Sequence, residues 1–391
     1  MRLKRILLLV GVIVSVLMVA SPINAQSVTL PKASVPTDAE ISFALDSIKQ
    51  IAKDGVGNKN AVAVMPTLNR ARLKQLPMIL EGFNGSSPLQ RNWLMGAVNR
   101  VAENSDTDLP LEAIEDHFTN YDNDDYGRLV AFELMTRNDE PLKQKMIREL
   151  WTDPSPPLRF MAIADLIQQA KKLDGDENKP AGVALLKKAL DNALDVDQIQ
   201  SIAQQLKSKG KPVNLQKIMG FVSPWKIVAG FDNTDSKGFD VPYGPELDVK
   251  LIDPEATYND ASGQTVRWKE VETESDTGVF DLNKLIGQED DRTAYAYTTF
   301  SSPIEGSAEV RIGTPNAHKI WLNGKLVMSN EIYHNSTAID KFVSRVELKQ
   351  GSNEVLVKLC QNNMTQSWAQ DWQFQLRFCD EDSKPILQPQ P

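Results

Sequence analysis

From Thr37 to Lys211 apolar residues recur at three- and four-residue spacing, the pattern of helices that each bury one stripe. Prolines or acids stand where first turns would begin, at Pro88, Pro110, Pro141, Pro156, Pro180 and Asp195. The spacing predicts helices over 38–53, 66–82, 88–103, 110–120, 126–137, 140–151, 157–172, 181–193 and 196–208. Near Phe221 the period changes to two, and strands are predicted at 225–230, 247–252, 265–271, 293–300 and 307–313. Residues 319–328 centre on Asn323-Gly324, a pair suited to the two left-handed positions of a type I′ hairpin turn. Both faces of this hairpin are apolar, which places it between two layers. Residues 342–348 and 354–360, joined through Gly351, read as a second hairpin. In a final strand Trp372, Phe374, Leu376 and Phe378 alternate with Gln373, Gln375 and Arg377. The fold expected is two-domain, α then β: a helical solenoid over 37–212, an antiparallel β-sandwich or jelly roll over 220–380, and a flexible tail over 381–391.

The first residues have a different logic. Arg2, Lys4 and Arg5 precede an apolar run from Ile6 to Ala20, and Ser21-Pro22-Ile23-Asn24-Ala25 then breaks it before Gln26. This order reads as a secretory signal over 1–25, cleaved between Ala25 and Gln26, with a flexible leader over 26–36. The alternative, an uncleaved anchor, fits less well because the run is shorter than the ~20 residues of a span. The chain is then expected in the periplasm or secreted, with no membrane span after cleavage. Its net charge of −9, with no basic run, excludes the electrostatic footprint of nucleic-acid binding. The two cysteines, Cys360 and Cys379, fall on the last two strands. A simple hairpin of those strands would set Cys360 opposite Gln373 and leave Cys379 roughly 20 Å away. A disulfide needs Cα atoms within about 7 Å, so two free thiols are expected.

Within the helical segment a pattern repeats. Asp122-x5-Arg128-x2-Ala131 matches Asp153-x5-Arg159-x2-Ala162, and Arg91 stands at the corresponding place one unit earlier. The spacing of these arginines suits a two-helix repeat. The segment 66–208 resembles HEAT-type repeats, which implies a curved stack of helix pairs in which an acidic loop and an arginine link neighbours. The β segment carries Trp225-x4-Gly230-Phe-Asp-Asn233, Gly238-Phe-Asp240, Tyr243-Gly-Pro-Glu246, Trp321-Leu-Asn-Gly324 and Leu348-x2-Gly351-x-Asn353-x4-Lys358. These motifs look like the galactose-binding-like jelly-roll modules of secreted bacterial proteins, which implies a non-catalytic module that accompanies glycan-active enzymes or helical repeats.

Candidate chemistry is sparse. His117, His318 and His334 form no HExxH pair, and no GxSxG, P-loop or GxGxxG occurs. Asp122-x-Asp124-x-Tyr126-Gly127-x5-Glu133 approaches a calcium loop, but Tyr126 stands where a carboxylate is needed and the repeat phase already accounts for the segment. The oxygen-rich loop from Asp232 through Asp235 to Asp240 reads as an Asx turn closing onto the sheet, with a structural calcium, as jelly-roll modules sometimes hold, as the alternative. No catalytic, cofactor or metal residue is therefore assigned, and no cofactor is expected. Sugar binding needs exposed aromatic faces. Trp225, Trp321 and Trp372 fall on core-facing positions, which leaves Tyr243 in a Gly/Pro turn, Trp268 between charged residues and Trp368 in a polar tip as candidate ligand residues. The function expected is an exported, non-catalytic binding or scaffold protein whose β-sandwich binds carbohydrate, with a glycan and an extracytoplasmic protein as partners. The alternative is a glycan-processing enzyme or accessory subunit with an unrecognised carboxylate site.

Overall fold

The computed structural model describes residues 34–103, 109–173, 175 and 179–389. The expected signal peptide, the Ala25–Gln26 junction and leader residues 26–33 lie outside the described residues.

The helical half contains α1 (Asp38–Lys49), α2 (Asn58–Leu68), α3 (Leu76–Glu81), α4 (Pro88–Glu103), α5 (Leu111–Thr119), α6 (Asp125–Thr136), α7 (Glu140–Ile147), α8 (Pro156–Lys172), α9 (Lys179–Asn192) and α10 (Val196–Ser208). Consecutive helices pair, and their apolar stripes meet in a core that includes Leu80, Phe83, Ala97, Val130, Phe132 and Leu158. The helix expected over 66–82 is two helices. Pro77 sits in the first turn of α3, where its missing N–H leaves no orphan, and Gln75 ties the preceding turn to the carbonyl of Pro36.

Neighbouring pairs are joined by ion pairs between side chains. Arg128 is wholly buried; Nη1 and Nη2 donate to the two carboxylate oxygens of Asp153 at 2.8 and 2.7 Å, and Nε donates to the carbonyl of Phe118. Arg91 reaches Asp124 at 2.7 Å in the same sense. The acid of the second unit is therefore Asp124 and not Asp122, because Asp124 also caps α6 through the backbone N–H of Tyr126. Arg159 breaks the series. It donates to the carbonyls of Asp153 and Thr152 within its own unit, and among the described residues it makes no ion pair with a later acid, Asp380 and Asp382 acting on it only through space. Gly127 lets α6 approach its neighbours, since a Cβ there would lie 3.0 Å from His117 and 3.1 Å from Phe83.

The β half has twelve strands: β1 (Trp225–Asp232), β2 (Thr257–Asn259), β3 (Thr265–Arg267), β4 (Lys269–Val271), β5 (Phe280–Asp281), β6 (Arg292–Ser302), β7 (Gly306–Gly313), β8 (Ala317–Leu322), β9 (Lys325–Asn330), β10 (Phe342–Leu348), β11 (Gly351–Gln361) and β12 (Gln373–Cys379). They form a six-stranded sheet, β4-β1-β6-β11-β8-β9, a four-stranded sheet, β10-β7-β12-β5, and the small β2-β3 pair. The two large sheets face each other across a core in which Phe300 meets Phe378 and Trp225 meets Phe374 at centroid distances of 4.4 and 5.2 Å. Helices first and an antiparallel sandwich second is the architecture the periodicity predicts.

The Asn323-Gly324 turn forms as expected, with φ of 51° and 77°. Its hairpin is buried on both sides: Ile320 and Leu322 enter the sandwich core, and Trp321 joins a separate cluster outside the six-stranded sheet. That outer cluster is covered by the 233–268 excursion, and Lys358 pins the cover down. Its Nζ is fully buried and donates to the carbonyls of Phe239 and Val241 and to Glu246 Oε2 at 2.7–3.0 Å. Tyr295 Oη donates to the same Glu246 oxygen, so the buried carboxylate is also satisfied.

Three strand expectations are corrected. Residues 247–252 form no strand; the chain makes a helical turn over Gly244–Leu247 as it crosses the sheet. β10 and β11 do not pair, because the 349–350 turn carries the chain from one sheet to the other, with β10 beside β7 and β11 between β6 and β8. β11 and β12 likewise lie in different sheets, and so the hairpin that set Cys360 against Gln373 does not exist. Both thiols are nevertheless free and buried, held apart by the sandwich itself. Burial also pushes each of them up to about 11.

Two outcomes follow from this packing. Arg128→Ala leaves Asp153 buried with only the Ser155 N–H, so unfolding in urea should show a loss of about 3–5 kcal/mol. Arg91→Ala, at a pair that is only partly buried, should lose clearly less; equal small losses would refute the buried linkage. His318 is neutral, its Nδ1 donating to the carbonyl of Asn316 and its Nε2 accepting from Asn330, and burial pushes it down to about 4. An unfolded histidine titrates near 6.5, so the unfolded chain takes the proton first as pH falls. The stability that neutral His318 contributes is complete above that value and is lost progressively towards pH 4. In urea titrations from pH 7 to pH 4, His318→Leu should therefore flatten the acid limb by roughly 2–4 kcal/mol; limbs of equal slope would show that His318 does not carry it.

Candidate functional site

The strand pairing brings one set of loops to one end of the sandwich. Asp232 lies opposite Arg292, Gln361 opposite Arg292, Cys360 opposite Ala317 and His318 opposite Asn330. The connections that leave these residues, 233–240, 287–291, 314–316, 331–341 and 362–372, therefore crowd together. Asn316 is the stitch between the sheets here. Its Nδ2 donates to Gln361 Oε1 and to the carbonyl of Asp371, and its Oδ1 accepts from the N–H of Gln373. Asn233, also buried, donates to the carbonyl of Gln361 and to Tyr333 Oη.

These ties hold the 362–372 tip as a short 3₁₀ turn, Ser367–Ala369. Ala369 is buried and its carbonyl accepts from His334 Nδ1 at 3.1 Å and from Gln361 Nε2. Trp368, the next residue back, is pushed outward and is 65% exposed. Its indole meets the His334 ring edge-on at 5.7 Å and 80°, and Tyr333 follows 6.1 Å behind His334. His334 adopts φ 57°, a left-handed conformation that a non-glycine residue holds only where its surroundings fix it. Four buried side-chain atoms at this end have no protein partner: Asn233 Oδ1, Asp291 Oδ1, His334 Nε2 and Asn362 Oδ1. Burial raises the Asp291 carboxyl above its usual range, a hydrogen bond from Asn363 opposes the shift, and Asp235 and Asp290 add to it. The arrangement offers an exposed aromatic face over a polar, incompletely satisfied floor.

The three aromatic candidates separate. Trp368 is the exposed one. Trp268 is 8% exposed and stands where the chain passes from β3 to β4, wedged against Tyr258 and Tyr297 at 6.2 and 6.1 Å. Its charged neighbours point to solvent while the indole fills the cover of the six-stranded sheet, so it has no face to offer a sugar. Tyr243 stacks on Phe231 at 5.2 Å and its Oη donates to the carbonyl of Asp232. It too is a packing residue of the cover. His334 and Asn233 are the partners that sequence reasoning left out. The 331–341 connection brings His334 to Trp368, and no local pattern announces that.

Among the described residues no cluster of three or more His, Cys, Asp or Glu side chains could hold a metal ion, and no helix is long and apolar enough to cross a membrane.

No protein-family model and no curated protein matches the chain. Solved structures give weak likenesses. A β-glucosidase from Kluyveromyces marxianus aligns with a TM-score of 0.24 at 12% identity, covering 39% of this chain and 16% of that one. The PA14 domain of the MpAFP antifreeze protein aligns with a TM-score of 0.23 at 11% identity, covering 42% and 88%. A β-glycosidase from Bacteroides vulgatus aligns with a TM-score of 0.21 at 16% identity, covering 41% and 20%. The chain thus spans about a sixth of the glucosidase's length. At these scores the likenesses assign this chain neither a family nor a function.

The packing role of Trp268 is testable. Trp268→Ala should lower the thermal midpoint in line with the ~3–5 kcal/mol typical of emptying a buried aromatic site. An unchanged midpoint would return Trp268 to the exposed set.

Proposed function

We propose that this protein is an exported, non-catalytic binding protein that holds a carbohydrate at the loop end of its β-sandwich, beside Trp368. The observation that carries the reading is a large aromatic ring held 65% exposed by buried ties, next to a histidine whose Nε2 lacks a partner. Leaving an indole in water forgoes its burial energy, and here the tip is built to keep it out. An indole face suits the C–H surface of a sugar ring, and a ligand hydroxyl settling beside it would complete the unpaired nitrogen.

The resemblance of 221–380 to galactose-binding-like modules supports the same reading, and the resemblance of 66–208 to HEAT-type repeats supports a scaffold that presents a concave face to a protein partner. Export rests on the order of basic, apolar and small residues before Gln26. On this reading the protein is periplasmic or secreted, and its sandwich binds without turning over what it binds.

Trp368→Ala tests the reading. In a glycan array followed by calorimetry on the full chain, the variant should bind the selected glycan at least tenfold more weakly, about 1.4 kcal/mol, with its thermal midpoint unchanged. Trp372→Ala, which empties a core position, should instead unfold at lower temperature. Glycan binding at the 362–372 tip, located by hydrogen exchange, that survives Trp368→Ala intact would overturn the site, and turnover of the glycan by purified protein would overturn the non-catalytic assignment.

A further inference from the structure

A second recess lies where the helical half meets the four-stranded sheet. It is a cleft of about 880 Å³, within the size range of small-ligand sites. Tyr126, Arg159 and Phe160 line it from the helical side, and Arg311, Thr337 and Gln375 from the sandwich side. A further recess of about 480 Å³ continues from it between α8 and α10, past Ala164, Ile167 and Ser201. Phe160 borders both spaces and is 46% exposed. From Phe160 to Ile167 the groove follows α8 for about 10 Å at 1.5 Å per residue. The space is therefore elongated, with an aromatic ring bordering both of its parts.

The orientation of a second ring is fixed. Tyr126 is exposed, yet its ring lies against the Arg91 guanidinium at 4.2 Å, and Arg91 is itself anchored on Asp124. The polar groups of the lining favour a particular chemistry. Arg311 is already taken up by Glu309, Asp340 and Ser383. Arg159 is held on two backbone carbonyls and keeps its charge, while Asp195 and Asp197 supply the opposite sign. Neither an anion nor a cation is selected. Gln198 and Gln375 are each more than nine-tenths buried in the wall; each donates its amide N–H to a backbone carbonyl and leaves Oε1 without a partner. Such walls ask for hydrogen-bond donors. A peptide backbone brings donors and acceptors in equal number, whereas each sugar hydroxyl can act as either.

We propose that this cleft and its groove bind an extended, hydroxyl-rich chain, an oligosaccharide strand, with Phe160 and Tyr126 as its stacking platforms. The proposal shares only its ligand class with the Trp368 site, and it gives the junction between the two halves a role of its own.

The test uses the full chain and a panel of hexasaccharides: a neutral glucan, an N-acetylated chain and a uronate chain. Calorimetry identifies a binder, and hydrogen exchange locates it. One hexasaccharide should protect amides in 156–164 and 196–201, segments that the Trp368 tip does not touch. Phe160→Ala should weaken that binding at least tenfold. Ser201→Trp, an exposed substitution that fills the groove, should do the same, and both variants should keep the thermal midpoint of the parent. Trp368→Ala should leave the protection of these segments unchanged. If Trp368→Ala abolishes all binding while Phe160→Ala and Ser201→Trp bind normally, the cleft proposal falls and the sandwich site stands. If the cleft variants lose binding and Trp368→Ala does not, the reverse holds. Protection of the same amides by a peptide, with no hexasaccharide giving it, would also overturn the proposal.

Discussion

The guanidinium of Arg377 fixes how the two halves meet. It is wholly buried on the outer face of the four-stranded sheet, where it binds both carboxylate oxygens of Asp340 and donates from Nη1 to the carbonyl of Met219, just before the first strand. Asp340 in turn accepts from Arg311. A guanidinium removed from water is tolerable only when its charge and its donors are all answered, and here the answers come from two separate segments, the 331–341 connection and the residues before the first strand. Asp340 belongs to the 331–341 connection, so this one segment is clamped at its far end by arginines. Nearer its start it places His334 beneath Trp368, and between the two it lays Thr337, Ala338 and Ile339 along the cleft. Both candidate ligand surfaces therefore inherit their geometry from the same buried ion cluster.

The sequence was most legible where a local period had a single physical cause. Helices 88–103 and 157–172 were readable because one stripe is buried and a proline starts each. The Asn323-Gly324 turn was readable because two consecutive positive φ angles leave few residue choices. The Arg128 position was readable as a repeated device, and the buried Asp153 pair supplies its reason. What failed was pairing. A turn such as 349–350 looks the same whether the strands it joins lie side by side or in opposite sheets. The deciding information is in Asn353, whose amide closes that turn onto the carbonyls of Lys349 and Gly351 and so frees β11 to pair elsewhere.

Polarity misled in a second way. From Trp372 through β12 the alternation of Trp372, Phe374, Leu376 and Phe378 with Gln375 and Arg377 marks one apolar face correctly, yet both faces are buried. The polar face packs on the 331–341 connection and the helical half, and it is polar because it must satisfy backbone carbonyls and Asp340 there. The same ambiguity governed the tryptophans. Trp268 between charged neighbours and Trp368 in a polar tip look alike in sequence, but the first lies where a cover crosses a sheet and the second on a turn whose neighbour, Ala369, takes the buried position. Exposure was not a property of either local window; it was set by which residue beside it the fold had already buried.

That asymmetry bears on what the junction can do. A chain that only needed to join a helical stack to a sandwich would close the gap with apolar side chains, as happens where Met219 and Phe221 pack into the last helices. Beside that seal the same junction stays open. Phe160 and Tyr126 remain exposed within reach of water, and two buried glutamines keep amide oxygens unpaired, each a loss that better packing would remove. The Arg377 cluster makes the open part possible, because it holds the halves in register without needing the cleft to be filled. The junction thus divides into a sealed side and an unsealed side, and the unsealed side carries the exposed aromatics.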